Sequence, residues 1–270
     1  MNVIDKVRVI GRGNIVIVDD IRKYHLHVND KVKVNDTQFE VVGIEFSEHI
    51  KSGGLILRPN DKVEEIKIKD KIEKVMKKKV LLVIDGQEDF LDGGKLGVNG
   101  ARHIMDNLAN NYIPKHGNDY EFAVATVDYH PFSHCSFKEN GGIWPAHCIQ
   151  HSAGAAIYEP LLQSLHNNMK FLNIFTKGVD DDHEEYSIFK NEDSCKKLVD
   201  LINKFDIEEI DVVGIAYDYC VSDSVKDGLR KLPNVTFRVL KNYCPAIAED
   251  SAKVFTDFIN STERVCLVEE

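Results

Sequence analysis

From residue 80 onward the chain repeats one pattern, a short apolar run followed by a longer amphipathic stretch. VLLVI (80–84), FAVATV (122–127), FLNIF (171–175), IDVVGIA (210–216) and VTFRVL (235–240) are the runs, and SCKKLVDLINKF and SDSVKDGLRKL are two of the stretches between them. Runs this short that do not alternate with polar residues suit strands buried on both faces, and the longer stretches suit helices packed over them. Alternating β and α elements of this kind predict a doubly wound, mostly parallel α/β sheet. In such a sheet the ligand site forms at the carboxyl ends of the strands. The residues that end each run therefore decide what the chain can do.

The first run ends in Asp85, the second in Asp128 with His130 close behind, the third in Lys177, and the fourth leads through IAYDYC to Cys220. A cysteine nucleophile needs a base for its proton and a cation or dipole to favour the thiolate. Asp85, Lys177 and Cys220 supply base, cation and nucleophile. Taken singly, each also has a structural explanation: Asp85 as a cap, Lys177 as a surface charge, Cys220 as core packing. It is their arrival at one sheet edge that favours chemistry. The chain must turn from strand into helix between Gly214 and Cys220, and amides exposed in that turn could donate to an oxyanion. A second constellation lies in DYHPFSHCSF (128–137) and WPAHC (144–148). Asp128 and His130 are two apart, so in an extended segment they point the same way and could share a metal ion. His147 would complete three ligands and leave coordination positions open, as a catalytic metal requires. His134 is a further candidate beside them, as a ligand or as a partner behind the ligands. Cys148 is expected to be structural.

The first sixty residues have a different period. KVRVIG, NIVIV, HVNDKVKV and QFEVVGI alternate at period two, with Asn35-Asp36 placed where a tight hairpin turn would fall. This predicts a small barrel or curled sheet over residues 1–66. Residues 67–79, KIKDKIEKVMKKK, carry seven lysines and are expected to be a basic linker of strand end and helix, with Ile72, Val75 and Met76 at helical spacing. The catalytic domain is then 80–270. Residues 1–79 hold 17 Lys and Arg against 13 Asp and Glu, and the remainder 17 against 31. An acidic larger unit argues against nucleic acid as a partner, since phosphate contacts need clustered cations. The β module carries no catalytic cluster, so an assembly or partner-binding role is expected of it. Cys135, Cys148, Cys195, Cys220, Cys244 and Cys266 are too sparse for a disulfide framework. With no apolar run of membrane-span length and no signal-peptide pattern at the start, a cytoplasmic protein with no membrane partner is expected.

Five motifs in order, VIDGQEDF (83–90), TVDYHPFSHCSF (126–137), WPAHCIQ (144–150), TKG with YSIF (176–178 and 186–189) and GIAYDYCV (214–221), make residues 80–260 resemble the nicotinamidase branch of the isochorismatase-like cysteine hydrolases. The resemblance implies a Rossmann-like domain with a six-stranded parallel sheet and hydrolysis of nicotinamide to nicotinate and ammonia, with activity on pyrazinamide. It makes Asp85, Lys177 and Cys220 a catalytic triad and Asp128, His130 and His147 the ligands of one divalent ion, zinc, iron or manganese. It places a cis peptide at Ile215-Ala216, an oxyanion hole at the amides of Ala216 and Cys220, and aromatic walls at Phe90 and Trp144. The sequence departs from the family pattern at Tyr217, where a small hydroxyl residue is usual, and at HSAGA (151–155), where GTPGA is usual. Tyr217 is therefore a candidate substrate-binding residue that would narrow the pocket, or it faces outward. The implied partner is a small amide, and the chain could form a homo-oligomer. The runner-up functions are another amidase of the superfamily and, after it, a binding homologue that has lost catalysis.

Overall fold

The computed structural model describes residues 1–9, 13–24, 26–46, 52–58 and 62–269. The chain divides into two compact units, Met1–Met76 and Lys77–Glu270. In the first, the alternating runs form β1 (Val3–Val9), β2 (Gly13–Val18), β3 (Lys31–Val34), β4 (Thr37–Phe46), β5 (Gly53–Leu57) and β6 (Ile72–Lys74), an antiparallel sheet in the order β1-β2-β5-β4-β3-β6. Ile10 and Gly11, at the end of the first run, lie outside the described residues. Asn35 takes a φ of 53° in the turn between β3 and β4, a conformation asparagine tolerates better than most residues. The sheet curls far enough for the Val3 amide to donate to the Asp70 carbonyl at 2.9 Å and the Ile72 amide to that of Met1 at 2.8 Å. Val16, Val32, Val41, Leu55 and Ile72 fill its inner face.

The helix expected within 67–79 does not form. Ile72 is fully buried between exposed Lys71 and Glu73, the period-two pattern of a strand, and it pairs with Val34 of β3. Val75 extends that pairing by donating its amide to the Lys31 carbonyl, and Met76 is exposed. Ile72 reaches the apolar core of the unit through alternation along a strand, and the edge of β3 supplies the partner, so sheet pairing won.

The second unit contains β7 (Lys79–Ile84), β8 (Phe122–Asp128), β9 (Leu172–Lys177), β10 (Glu209–Gly214), β11 (Thr236–Leu240) and β12 (Val265–Val268), all parallel in the order β12-β11-β10-β7-β8-β9. Helical segments cover both faces. They are α1 (Ala101–Asn107), which continues through a π-helical turn into α2 (Ile113–His116), then α3 (Glu159–Asn168), α4 (Glu192–Lys204), α5 (Ser222–Lys231) and α6 (Glu249–Asn260). Along β7 the pleat sends Val80, Leu82 and Ile84 to the face packed by α4, α5 and α6, and Leu81 and Val83 to the face packed by α1 and α3. Two of the strand expectations need adjustment. FLNIF is an edge strand with Ile174 half exposed, and the sixth strand comes from VCLV, a short run at the opposite edge. Among the described residues no helix is long and apolar enough to cross a membrane.

The register aligns the functional ends. Lys177 lies beside Asp128 across β8 and β9, and Gly214 beside Ile84 across β10 and β7. Gly214 has a φ of 121°, and a Cβ there would sit 2.0 Å from the Ile84 carbonyl oxygen, so only glycine allows this close approach. Beyond it come the Ile215-Ala216 peptide, which is cis as the resemblance implied, and the π-helical turn Tyr217–Val221 that carries Cys220.

Candidate active site and metal centre

At the carboxyl edge of the second sheet the Lys177 ammonium, fully buried, sits between two carboxylates, 2.8 Å from Asp85 Oδ2 and 2.5 Å from Asp128 Oδ1. Its third neighbour is the Cys220 sulfur at 3.5 Å. Asp85 is fixed from the other side by the Thr126 hydroxyl, which donates to Oδ1 at 2.6 Å. Burial opposes the charged form of Lys177, but Asp128 and Asp85 outweigh it and hold the ammonium well above the ordinary lysine range. Burial raises the Asp85 carboxyl. It also pushes the Cys220 thiol well up, Lys177 opposing and Asp85, its hydrogen-bond partner, reinforcing the rise. The resting nucleophile is therefore a thiol aimed at a carboxylate, so it must lose its proton as it attacks.

Asp128 also faces a second set of groups. Its Oδ2 is 3.6 Å from His130 Nε2, and Asp128, His130 and His147 are all buried with donor atoms within 4.8 Å of one another. Each histidine is held by its other nitrogen: His130 Nδ1 donates to the Gly178 carbonyl at 2.8 Å and His147 Nδ1 to that of Pro145 at 2.8 Å. In the neutral imidazole this leaves Nε2 as a lone pair, and His130 Nε2 is buried with no hydrogen-bond partner in the protein. A buried imidazole lone pair without a donor fits a metal ion, and this donor set can hold a divalent one. Gly178 makes the clamp possible: its φ is 61°, and a Cβ there would lie 2.3 Å from the His130 ring. Gln87 locks Asp128 in place, its Nε2 donating to the Asp128 carbonyl at 2.8 Å and its Oε1 accepting the Asp128 amide at 2.7 Å.

Above these groups opens a cavity lined by Phe90, Trp144, Tyr186, Tyr219 and Ile247, with Cys220, Asp128 and His147 at its polar end. Its aromatic wall is interlocked. Trp144 Nε1 donates to the Tyr186 hydroxyl at 2.9 Å, and the Tyr219 ring meets Trp144 edge-on at 5.4 Å and Tyr186 at 5.6 Å. A flat aromatic amide would place its ring along this wall and its carboxamide at Cys220.

No family model matches the chain. It is 31% identical to the nicotinamidase of Escherichia coli over 202 residues, covering 67% of this chain and 91% of that protein. It is 30% identical to the nicotinamidase/pyrazinamidase of Mycobacterium tuberculosis over 198 residues, covering 70% and 98%. The chain belongs to the nicotinamidase branch of the isochorismatase-like cysteine hydrolases. Solved structures agree. The pyrazinamidase of Pyrococcus horikoshii in complex with zinc superposes with a TM-score of 0.61 at 28% identity, over 72% of this chain and 99% of that one. PnC1 of L. infantum in complex with nicotinate gives 0.61 at 29%, over 72% and 94%.

Within this nicotinamidase fold, Asp85, Lys177 and Cys220 converge, Asp128, His130 and His147 converge beside them, and Phe90 and Trp144 line the cavity. His134 does not join that three-residue set: Nδ1 meets the Ser136 hydroxyl at 2.7 Å and Nε2 donates to the His183 carbonyl at 3.0 Å, while its ring packs on His130, behind the three. Tyr217 corrects the sequence reading most clearly. It does not line the cavity. It is fully buried on the far side of the turn, its ring against Phe255 and its hydroxyl 2.9 Å from Thr256 Oγ1. In an α-helix residues 217 and 220 would share a face, but here the Val221 amide reaches back five residues to Ala216, and the wider turn rotates Tyr219 into the cavity instead. Tyr217→Phe is accordingly expected to cost on the order of 1 kcal/mol in chemical denaturation. It should leave kcat/KM for the amide within about twofold of wild type. Of the polar and aromatic residues that line the cavity, Tyr219, Tyr186 and Glu184, whose carboxyl burial raises, escaped the sequence reading, as did the aliphatic Leu96, Val98 and Ile247. Tyr186 stands in the YSIF motif, so a signal existed for it.

Proposed function

We propose that the chain is a metal-dependent nicotinamidase, converting nicotinamide and water to nicotinate and ammonia in salvage toward NAD, with pyrazinamide as a second substrate. The observation that carries this reading is the buried Lys177 ammonium touching Asp85, Asp128 and the Cys220 thiol at the floor of an aromatic-walled cavity. Asp85 takes the thiol proton as the sulfur attacks the carboxamide carbon, and Lys177 stabilises the charge that develops on the two groups. The amides of Ala216 and Cys220 donate to the oxyanion. Protonated Asp85 returns its proton to the amine nitrogen, and ammonia leaves as the C–N bond breaks. The thioester that remains is attacked by water, Asp85 again accepting the proton, and nicotinate departs as the Cys220 sulfur is released. Asp128, His130 and His147 would hold the metal, which when bound supplies a Lewis acid for the pyridine nitrogen. The mixed nitrogen and oxygen set suits zinc, iron or manganese. Phe90 and Trp144 confine the ring. The reaction belongs to Lys77–Glu270, and the N-terminal β unit serves assembly or partner binding.

The deciding experiment is ammonia release from nicotinamide by purified, metal-replete protein. Turnover is expected, with loss on chelation and recovery on adding back zinc, iron or manganese. Absence of turnover under replete conditions would overturn the reading.

A further inference from the structure

Ile247 lines the substrate cavity and is 44% exposed, so it stands at the cavity's mouth. It lies in the segment between β11 and α6, and Ala248, the residue before α6, has no side chain with which to cap that helix. The restraints come instead from the turn that carries the nucleophile. The Tyr217 amide donates to the Pro245 carbonyl at 2.8 Å. Asp218 Oδ1 accepts the Ile247 amide at 2.9 Å, and Oδ2 accepts the Ala248 amide at 3.0 Å and the Ser251 hydroxyl at 2.5 Å. Two consecutive residues of the Cys220 turn thus bracket Ile247 on both sides. We propose, resting on the carboxamide reading of this cavity, that Ile247 is a specificity-determining residue and that Asp218 positions it. The turn that delivers the nucleophile then also sets how large a ring can reach it.

A carboxylate that accepts three hydrogen bonds makes charge-assisted contacts, and two of these donors are amides at the positive end of α6. Moving Ile247 outward would break bonds to both oxygens. A branched side chain fixed at the mouth leaves room for an unsubstituted ring and meets any substituent on the ring edge that faces it. A rigid apolar wall discriminates one methyl group by about 10–200-fold, and a wall free to swing aside would lose that power. The class selected is a small, flat carboxamide unsubstituted toward the mouth. Asp218 does not line the cavity, so its influence on the substrate passes through Ile247.

The test compares kcat/KM for nicotinamide with that for each of its ring-methylated derivatives in the zinc-loaded enzyme. The same ratios are read as dissociation constants in zinc-loaded Cys220→Ala, so absence of turnover in wild type would count against the hydrolase reading alone and leave the selectivity measurable. Wild type should disfavour at least one methylated amide by about tenfold or more, and Ile247→Ala should bring that ratio to within about threefold of unity. Asp218→Asn keeps the side chain's shape but sets a donor against one of the donors Asp218 accepts, and it should relax the same ratio by about fivefold. Partial unfolding acts alike on both substrates and leaves a ratio unmoved. In the Ile247→Ala background Asp218→Asn should change the ratio by less than about twofold, because the side chain it positions is gone. Ratios unchanged in Ile247→Ala or in Asp218→Asn would overturn the proposal. So would full additivity of the two substitutions, or a wild type that takes every methylated amide as readily as nicotinamide.

Discussion

Cys220→Ala is expected to lower ammonia release from nicotinamide by a factor of about 10⁴ or more, because covalent catalysis has no substitute nucleophile at this position. The Cys220 sulfur is the group at the cavity floor that touches Lys177 and is paired with Asp85. Without it, Asp85 and the oxyanion donors could only assist direct attack by water on an amide, a poor electrophile. Folding should hardly change. The side chain is buried, but deleting one sulfur from a cavity wall costs about 1 kcal/mol, as for other small truncations. The expected pattern is thus an inactive protein with a near wild-type melting curve that still binds nicotinamide. Cys220→Ser separates two explanations for that loss. A hydroxyl fits the space, yet it is far harder to ionise than a thiol already raised by burial, so serine should be nearly as inactive as alanine. Activity surviving in Cys220→Ala would remove the thioester pathway altogether.

Much of this site was legible because strands deliver side chains by rule. Asp85, Asp128 and Lys177 follow directly from where three apolar runs stop, and the parallel register then sets Lys177 beside Asp128. Cys220 required one more step, the turn after Gly214. Legibility failed where a residue's direction depends on the exact winding of an irregular segment. Tyr217 and Tyr219 are both aromatic and both near the nucleophile, and only the five-residue reach from Val221 to Ala216 decides which of them meets the substrate cavity. Glu184 and Tyr186 lie in a loop with no period, so nothing in the pattern fixes their direction. The missed strand at Ile72 is a competition of a different kind. Helical spacing and strand alternation coexist in KDKIEKVM, and a free edge on β3 resolved it.

Lys177→Met should have the second largest effect, and it bears on stability as well as rate. The ammonium is completely buried between Asp85 and Asp128, at 2.8 and 2.5 Å. Removing one partner from a buried ionic cluster leaves uncompensated charge in low dielectric, at a cost of about 3–5 kcal/mol. Two carboxylates would then face each other with no cation between them, and one should take up a proton. Since Asp85 is the one that burial already raises, it should be the one to protonate. A protonated Asp85 cannot accept the thiol proton, so kcat should fall by about 10²–10⁴, the usual contribution of a general base. A double variant distinguishes this electrostatic account from a simple packing defect. Asp85→Asn alone should destabilise, because it takes a carboxylate away from a buried ammonium. In the Lys177→Met background the same change should stabilise, because asparagine is neutral already and spares the fold the cost of protonating a carboxylate that is ionised in the unfolded chain at neutral pH. The sign of Asp85→Asn in denaturant unfolding therefore reverses with the residue at 177. If it destabilises equally in both backgrounds, the two residues are not coupled through charge, and Lys177 would be a packing residue rather than the cation that balances the site.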